Sequence, residues 1–182
     1  MYKINVELTT ISPLAMHRLT EDDIEKIRKG STGGKKKPDD AQKEALDRCY
    51  WDKDEIVIPK RNIKKCLLEG IRKSGLKYGR GSLEPYVKAT VFIDGELIPI
   101  GKKKPDSFEQ FPVQRKDGGQ VIVTRALFNT GLKIGFTLSV FDDRRDADQL
   151  RVAMDEAGLL CGLCAGRPEY GRFEVTKWKV VK

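Results

Sequence analysis

The chain has 182 residues, with 35 lysines and arginines against 27 aspartates and glutamates, one histidine and four cysteines, for a net charge of +8. One domain of this length buries roughly two-thirds of its unfolded surface, so a core can form without disulfides or a structural metal. A single histidine excludes His-rich metal chemistry, the lack of any run of about 20 apolar residues excludes a spanning helix, and the positive charge favours a polyanionic partner.

Tyr2 to Thr10 alternates Ile4, Val6 and Leu8 with Asn5, Glu7 and Thr9, the period of a half-buried strand. The chain therefore opens on a strand pattern and not on a leader, and a soluble, cytoplasmic protein with four free thiols is expected. Pro13 ends the ladder. Glu21–Lys29 and Ala41–Arg48 read as short helices, and residues 30–40 between them, with nothing apolar to bury, read as a mobile loop insertion. Glu55–Ile58 is a short strand, and Pro59 opens a helix running to Ser74 with Gly75 as its stop. Val87–Ile93 and Glu96–Ile100 read as a hairpin around Asp94-Gly95, within a hairpin lobe spanning 75–120. Gln120–Leu127 and Lys133–Phe141 are further strands, Ala147–Ala157 a second helix, and Phe173–Val181 a last strand. In that strand Phe173, Val175, Lys177 and Lys179 alternate with Glu174, Thr176, Trp178 and Val180. The order fits one α+β domain over 1–182, with a ferredoxin-like, RRM-like βαββαβ core carrying inserted hairpins and basic loops.

The helix after Pro59 carries the strongest functional signal. At about 100° per residue, Ile63, Leu67, Gly70 and Ile71 share one side, while Arg61, Lys65 and Arg72 fall within about 40° of one another on the other. From Lys60 to Arg80 the basic residues are Lys60, Arg61, Lys64, Lys65, Arg72, Lys73, Lys77 and Arg80, against Glu69 alone. A solvated helix face explains a basic stripe by itself. Here the helix N-terminus adds N–H groups suited to a phosphate, and Tyr78-Gly79-Arg80-Gly81 continues the stripe with an aromatic and an arginine that can stack on bases. Nucleic-acid binding is the reading we adopt. The glycine-spaced segment Gly158 to Phe173, with Arg167, Tyr170 and Arg172, is a second candidate contact whose backbone amides could meet phosphate oxygens.

In these two segments the sequence resembles the RAMP superfamily of CRISPR effector complexes, especially the backbone subunits that polymerise along a guide RNA. Ile58-Pro59 through Ile71-Arg72 is similar to the strand, Ile-Pro and basic helix of its members, with Lys60 and Arg61 where members usually carry small residues. Gly162, Gly166 and Tyr170-Gly171-Arg172-Phe173 resemble the C-terminal glycine-rich loop that enters their last strand. The resemblance implies an RRM-like fold, RNA binding, an antiviral ribonucleoprotein and other effector subunits as partners. A phage or mobile-element protein binding single-stranded DNA would share the pattern. Two lysine-bearing excursions, Gly30 to Asp40 and Gly101 to Asp106, are too polar to pack within their own domain and long enough to reach a neighbour, so further copies of the chain arranged head to tail are expected.

Some RAMP relatives are metal-independent ribonucleases that use a histidine, so His17 marks a rival reading as an RNA-processing endoribonuclease. A lone histidine beside Met16 and Arg18 is more simply a packing residue, and Asp22, Asp23, Asp39 and Asp40 offer no secure match to the aspartate with which slicing subunits cut. No catalytic residue is assigned. Cys161-Gly162-Leu163-Cys164 has the spacing of half a zinc site, which Cys49 and Cys66 could complete, but Cys66 falls on the apolar helix face. Asp142, Asp143, Asp146, Asp148, Asp155 and Glu156 interleave with Arg144, Arg145 and Arg151, the composition of a salt-bridged helix entry. No metal and no cofactor is expected. A third reading is a basic protein-interaction subunit that touches no nucleic acid.

Overall fold

A computed structural model describes residues 1–29, 41–114, 118–142 and 147–181; the predicted loop at 30–40 lies outside them. The organising element is a four-stranded antiparallel sheet, sheet A, in which β1 (Tyr2–Thr10) lies between β12 (Phe173–Val181) and β11 (Lys133–Val140), with β7 (Val91–Ile93) beyond β11. Two helices, α3 (Lys60–Ser74) and α5 (Ala147–Leu160), pack against each other over one face. In chain order these six elements run β1, α3, β7, β11, α5, β12, with the first strand central and the last beside it. That is the ferredoxin-like arrangement.

Alternation dictates which face of sheet A is covered. Ile4, Val6 and Leu8 of β1, Ile134, Phe136 and Leu138 of β11, and Phe173 and Val175 of β12 point inward and are buried. They meet Ile63, Leu67 and Ile71 of α3 and Leu150, Ala153, Met154 and Ala157 of α5. Lys3, Asn5, Lys133 and Lys179 face away. The strict alternation predicted for β12 does not hold throughout. A bulge opposite the Glu7–Leu8 step inserts one extra residue, so Trp178 pairs with Val6 and Val180 with Ile4, joining the core side.

α3 begins directly after Pro59 and ends where Gly75 takes a left-handed φ of 67°, as its sequence predicts. A Cβ on Gly70 would lie 2.5 Å from the Cα of Ala157, so glycine is what lets α3 and α5 close on each other. Where β1 leads to α3, the chain inserts β2 (Leu14–Met16), α1 (Glu21–Arg28), α2 (Ala41–Asp47), β3 (Trp51–Asp52) and β4 (Glu55–Pro59). A reciprocal cap starts α1: the Asp23 amide donates to the Thr20 hydroxyl at 3.3 Å, and the Thr20 amide to the Asp23 carboxylate at 3.0 Å.

The hairpin predicted over Val87–Ile93 and Glu96–Ile100 does not form. Val87 belongs to a helix, α4 (Glu84–Thr90), while β7 joins sheet A and β8 (Leu97–Lys102) pairs with β4 in sheet C, β3–β4–β8. The turn is held from outside: Asp94 receives Lys3 at 2.8 Å and Ser139 at 2.6 Å, and its amide donates to the Thr137 carbonyl. Asp94-Gly95 therefore passes the chain from one sheet to another. β9 (Ser107–Gln114) pairs with β10 (Gln120–Phe128), which also pairs with β2, in sheet B. With the small ladder of β5 (Lys77–Tyr78) and β6 (Gly81–Ser82), residues 75–114 are spread over four sheets and α4 instead of forming one hairpin lobe.

Candidate nucleic-acid interface

Arg61 and Lys65 lie on the exposed side of α3, opposite Ile63, Leu67 and Gly70, and have no ion-pair partner among the described residues. Arg72 shares that side, its Nε 2.9 Å from a carboxylate oxygen of Glu84 on α4. α3 has no acid in its first turn, so the end bearing the helix dipole's positive charge also carries Lys60 and Arg61. Lys60 is ion-paired with Glu96, and its amide donates to the Glu96 carbonyl at 2.9 Å, so this first amide of the helix is already occupied. Past Gly75, Tyr78 and Arg80 sit on the β5–β6 turn. Both are exposed, and the Tyr78 ring packs on Tyr86 with centroids 4.9 Å apart.

Other predicted contacts have taken structural partners. Lys64 donates to the carbonyls of Val87, at 2.6 Å, and Val91, binding the end of α4 to α3. Burial lowers its pKa to about 8. Lys73 donates to the Leu160 carbonyl at 3.0 Å and lies 3.3 Å from Glu69, which also receives Arg167 at 3.0 Å. Burial alone would raise the Glu69 carboxyl, but the Arg167 and Lys73 charges hold it below the usual carboxylate range.

The glycine-spaced loop packs inward. The Leu163 amide donates to Gly171 at 2.8 Å, Gly171 to Pro13 at 2.8 Å, and Ala165 to Ala15 at 2.9 Å, so these amides are spent on the protein instead of awaiting phosphates. Gly171 is required by contact as well as by its φ of 73°: a Cβ there would lie 2.1 Å from the Leu163 carbonyl oxygen. Tyr170 donates to Glu109 at 2.6 Å, and Arg125 lies 3.3 Å from the same carboxylate with its guanidinium 4.1 Å from the centre of the Phe111 ring. This clamp ties the β9–β10 ribbon to the loop, and it raises the Tyr170 pKa because the phenol is the donor. Arg172 stays exposed beside Ser12, which accepts its amide. The structure thus brings Arg61, Lys65 and Arg72 onto one open face and ties Lys64, Lys73, Arg167 and Tyr170 into the scaffold.

The lysine-rich turn at 101–106 is likewise held by its own domain. Lys102 pairs with Asp106 at 2.8 Å, and the other Asp106 oxygen accepts the Asn129 amide at 2.9 Å.

A second polar cluster surrounds Arg48, at the end of α2. Its guanidinium pairs with Asp23 and, at 3.1 Å, with Glu44, and it donates to the Arg18 carbonyl. Glu44 also receives the Thr124 hydroxyl at 2.7 Å. Burial opposes ionisation of Asp23, yet the bond from Arg48 holds its pKa far below the carboxylate range. An open cavity of about 470 Å³ lies alongside, lined by Arg18, Asp22, Asp23, Glu44, Arg48 and Trp51. Sequence reasoning passed over Arg48, because a lone arginine closing a short helix looks like any solvated charge.

His17 lies outside that lining. Its Nδ1 is 2.9 Å from the Thr124 carbonyl, a contact that makes Nδ1 the donor. Burial lowers its pKa against the opposing effect of the bond to Thr124, and the Arg48 and Arg125 charges lower it further.

Cys49, Cys66 and Cys161 are buried, and Cys164 is half-buried with Asn62 at 3.8 Å from its sulfur. Burial pushes the Cys49 and Cys164 thiols up to about 12, away from the thiolates that bind zinc. No group of three or more metal-ligating side chains occurs among the described residues, and no helix among them is long and apolar enough to cross a membrane.

No family model matches the chain, and no curated protein matches it by sequence. Among solved structures, the fold is similar to that of a chain in the cryo-EM structure of the type III-B Cmr-beta bound to cognate target RNA. The TM-score is 0.60 at 15% identity, over 100% of this chain and 61% of that one. At this identity the likeness is one of fold, and it spans the ferredoxin-like core together with its insertions.

Proposed function

We propose that the chain binds single-stranded nucleic acid, RNA in the first place, as a subunit of a CRISPR-type ribonucleoprotein in the cytoplasm. The observation that carries the reading is the fold shared over the whole chain with a protein of an RNA-bound assembly. The exposed Arg61–Lys65–Arg72 face of α3 supplies a place for a phosphate backbone, and Tyr78, Arg80 and Arg172 extend it. Further copies of the chain follow one another along the strand, each in the same relation to the next, so the strand length sets their number. Lys64, Lys73, Arg167 and Tyr170 position the scaffold beneath this surface.

Fluorescence anisotropy with a labelled single strand, titrated with salt, tests the reading. Each neutralised phosphate releases counterions, so affinity falls steeply as salt rises. Replacing Arg61, Lys65 and Arg72 together by alanine is expected to weaken binding at least tenfold at low salt for all sequences alike. The slope of log K against log salt should flatten by roughly 0.7 per lost phosphate contact on a single strand. Equal affinity and equal slope in parent and variant would refute the assignment of this face. RNA and DNA strands of one sequence, run in parallel, separate an RNA-binding subunit from a single-stranded-DNA-binding relative.

A further inference from the structure

Two aromatic rings stand on the open face of sheet A, where neither the core nor the basic helix accounts for them. β7 runs buried Val91, exposed Phe92, buried Ile93, which turns Phe92 away from α3 and α5. Its cross-strand partner is Ser139, and Phe141, two residues further along, projects to the same side. The two rings meet edge to face with centroids 5.4 Å apart, yet remain 49% and 59% exposed.

The surroundings of the pair are polar and ordered. Ser139 and Lys3 both bind Asp94, and beside them Thr137 donates to Asn5 at 3.0 Å. Lys64 reaches round the β7 edge and places its ammonium 5.6 Å from the centre of the Phe92 ring. It spends two of its three N–H donors on the Val87 and Val91 carbonyls, which leaves one. Stable contact between two protein copies needs about 800 Å² from each partner, and two rings set among Lys3, Asp94, Asn5 and Thr137 offer far less apolar surface. One or two nucleobases are the right size, and a cation beside the ring suits the phosphate that accompanies each base.

We propose that Phe92 and Phe141 form a base-stacking platform for single-stranded nucleic acid. The inference rests on the nucleic-acid reading above and adds to it a contact on the opposite face of the domain from α3. A strand held by Arg61 and Lys65 through its phosphates would be read by stacking only where it passes the β7 edge.

Single strands carrying 2-aminopurine report stacking directly, because the fluorophore is quenched against an aromatic ring. Replacing Phe92 and Phe141 together by alanine is expected to weaken binding of RNA and DNA strands about tenfold, abolish the quenching and leave the salt slope unchanged. Abasic strands of the same length should bind parent and variant alike. Phe92→Leu with Phe141→Leu keeps the apolar bulk and controls for folding, and it should lose the quenching as fully as the alanine pair. If the parent binds and quenches but the variants match it, the platform is refuted while the basic face stands. Self-association that the variants abolish, with strand binding unaltered, refutes it in favour of a contact between copies. A parent that binds no strand refutes the nucleic-acid reading itself, and this inference with it.

Discussion

Lys64 belongs by composition to the basic stripe of α3, yet it lies about 60° to one side of Arg61, and that offset decides its role. It points at α4, where two backbone carbonyls take its protons. Burial there lowers its pKa to about 8 from 10.5. Between those values the unfolded chain binds more protons at this site than the folded one, so the residue makes stability rise with pH. Urea midpoints of the parent and of Lys64→Met, compared at pH 7.5 and pH 10, should shift in favour of the parent at the higher pH, by on the order of 1 kcal/mol. Parallel pH profiles would show that Lys64 is not desolvated as described. His17 runs the same way at lower pH: burial lowers its pKa, so as pH falls below 6.5 the unfolded chain takes up a proton more readily than the folded one and stability falls. Its place against Thr124 supplies no acid–base partner for cleavage, so the purified protein should not cut RNA, and His17→Ala should leave strand binding unchanged. Rapid site-specific cleavage that disappears in His17→Ala would restore the endoribonuclease reading. Charge was legible at these positions, and partners were not. Glu84, Glu96 and Glu69 neutralise Arg72, Lys60 and Arg167 from distant parts of the chain, and no local pattern announces such pairs.

Elements whose sequence carries both a period and a punctuation mark were legible to within a residue or two. β1 alternates over its whole length, and α3 has Pro59 before it and Gly75 after it. α4, β2 and β9 were missed because each is short or polar and owes its form to packing: α4 is bound by Lys64, and β2 is paired by β10. Asp94-Gly95 misled because turn chemistry is local, whereas pairing is decided by which strand lies alongside. The crossing of α3 and α5 shows the same limit. Gly70 was legible as part of an apolar face, but its contact with Ala157 was not. Gly70→Ala would put a Cβ within 2.8 Å of the Cα, Cβ and N of Ala157, so the helices must separate. A loss of about 1–3 kcal/mol is expected, seen as a fall in Tm of several degrees. Adding Ala157→Gly should not restore it, because backbone atoms obstruct as well. Full rescue by that second change would show that only the two methyl groups clash.

At the scale of the whole molecule, one ferredoxin-like sheet carries its insertions on the connections from β1 to α3, from α3 to β7 and from β7 to β11. Those insertions bury Arg48 and Thr124 around the half-buried Glu44, which accepts from both. What remains outward is a basic helix face on one side of the sheet and an aromatic pair on the other. Both suit a long flexible polyanion better than a compact ligand. The most direct test is to recover the protein from its own cells, alongside the Arg61→Ala, Lys65→Ala, Arg72→Ala variant, and to sequence the nucleic acid that comes with each. Single-stranded RNA of defined length is expected to accompany the parent and to be largely lost from the variant. A parent that carries no more nucleic acid than the variant would contradict it.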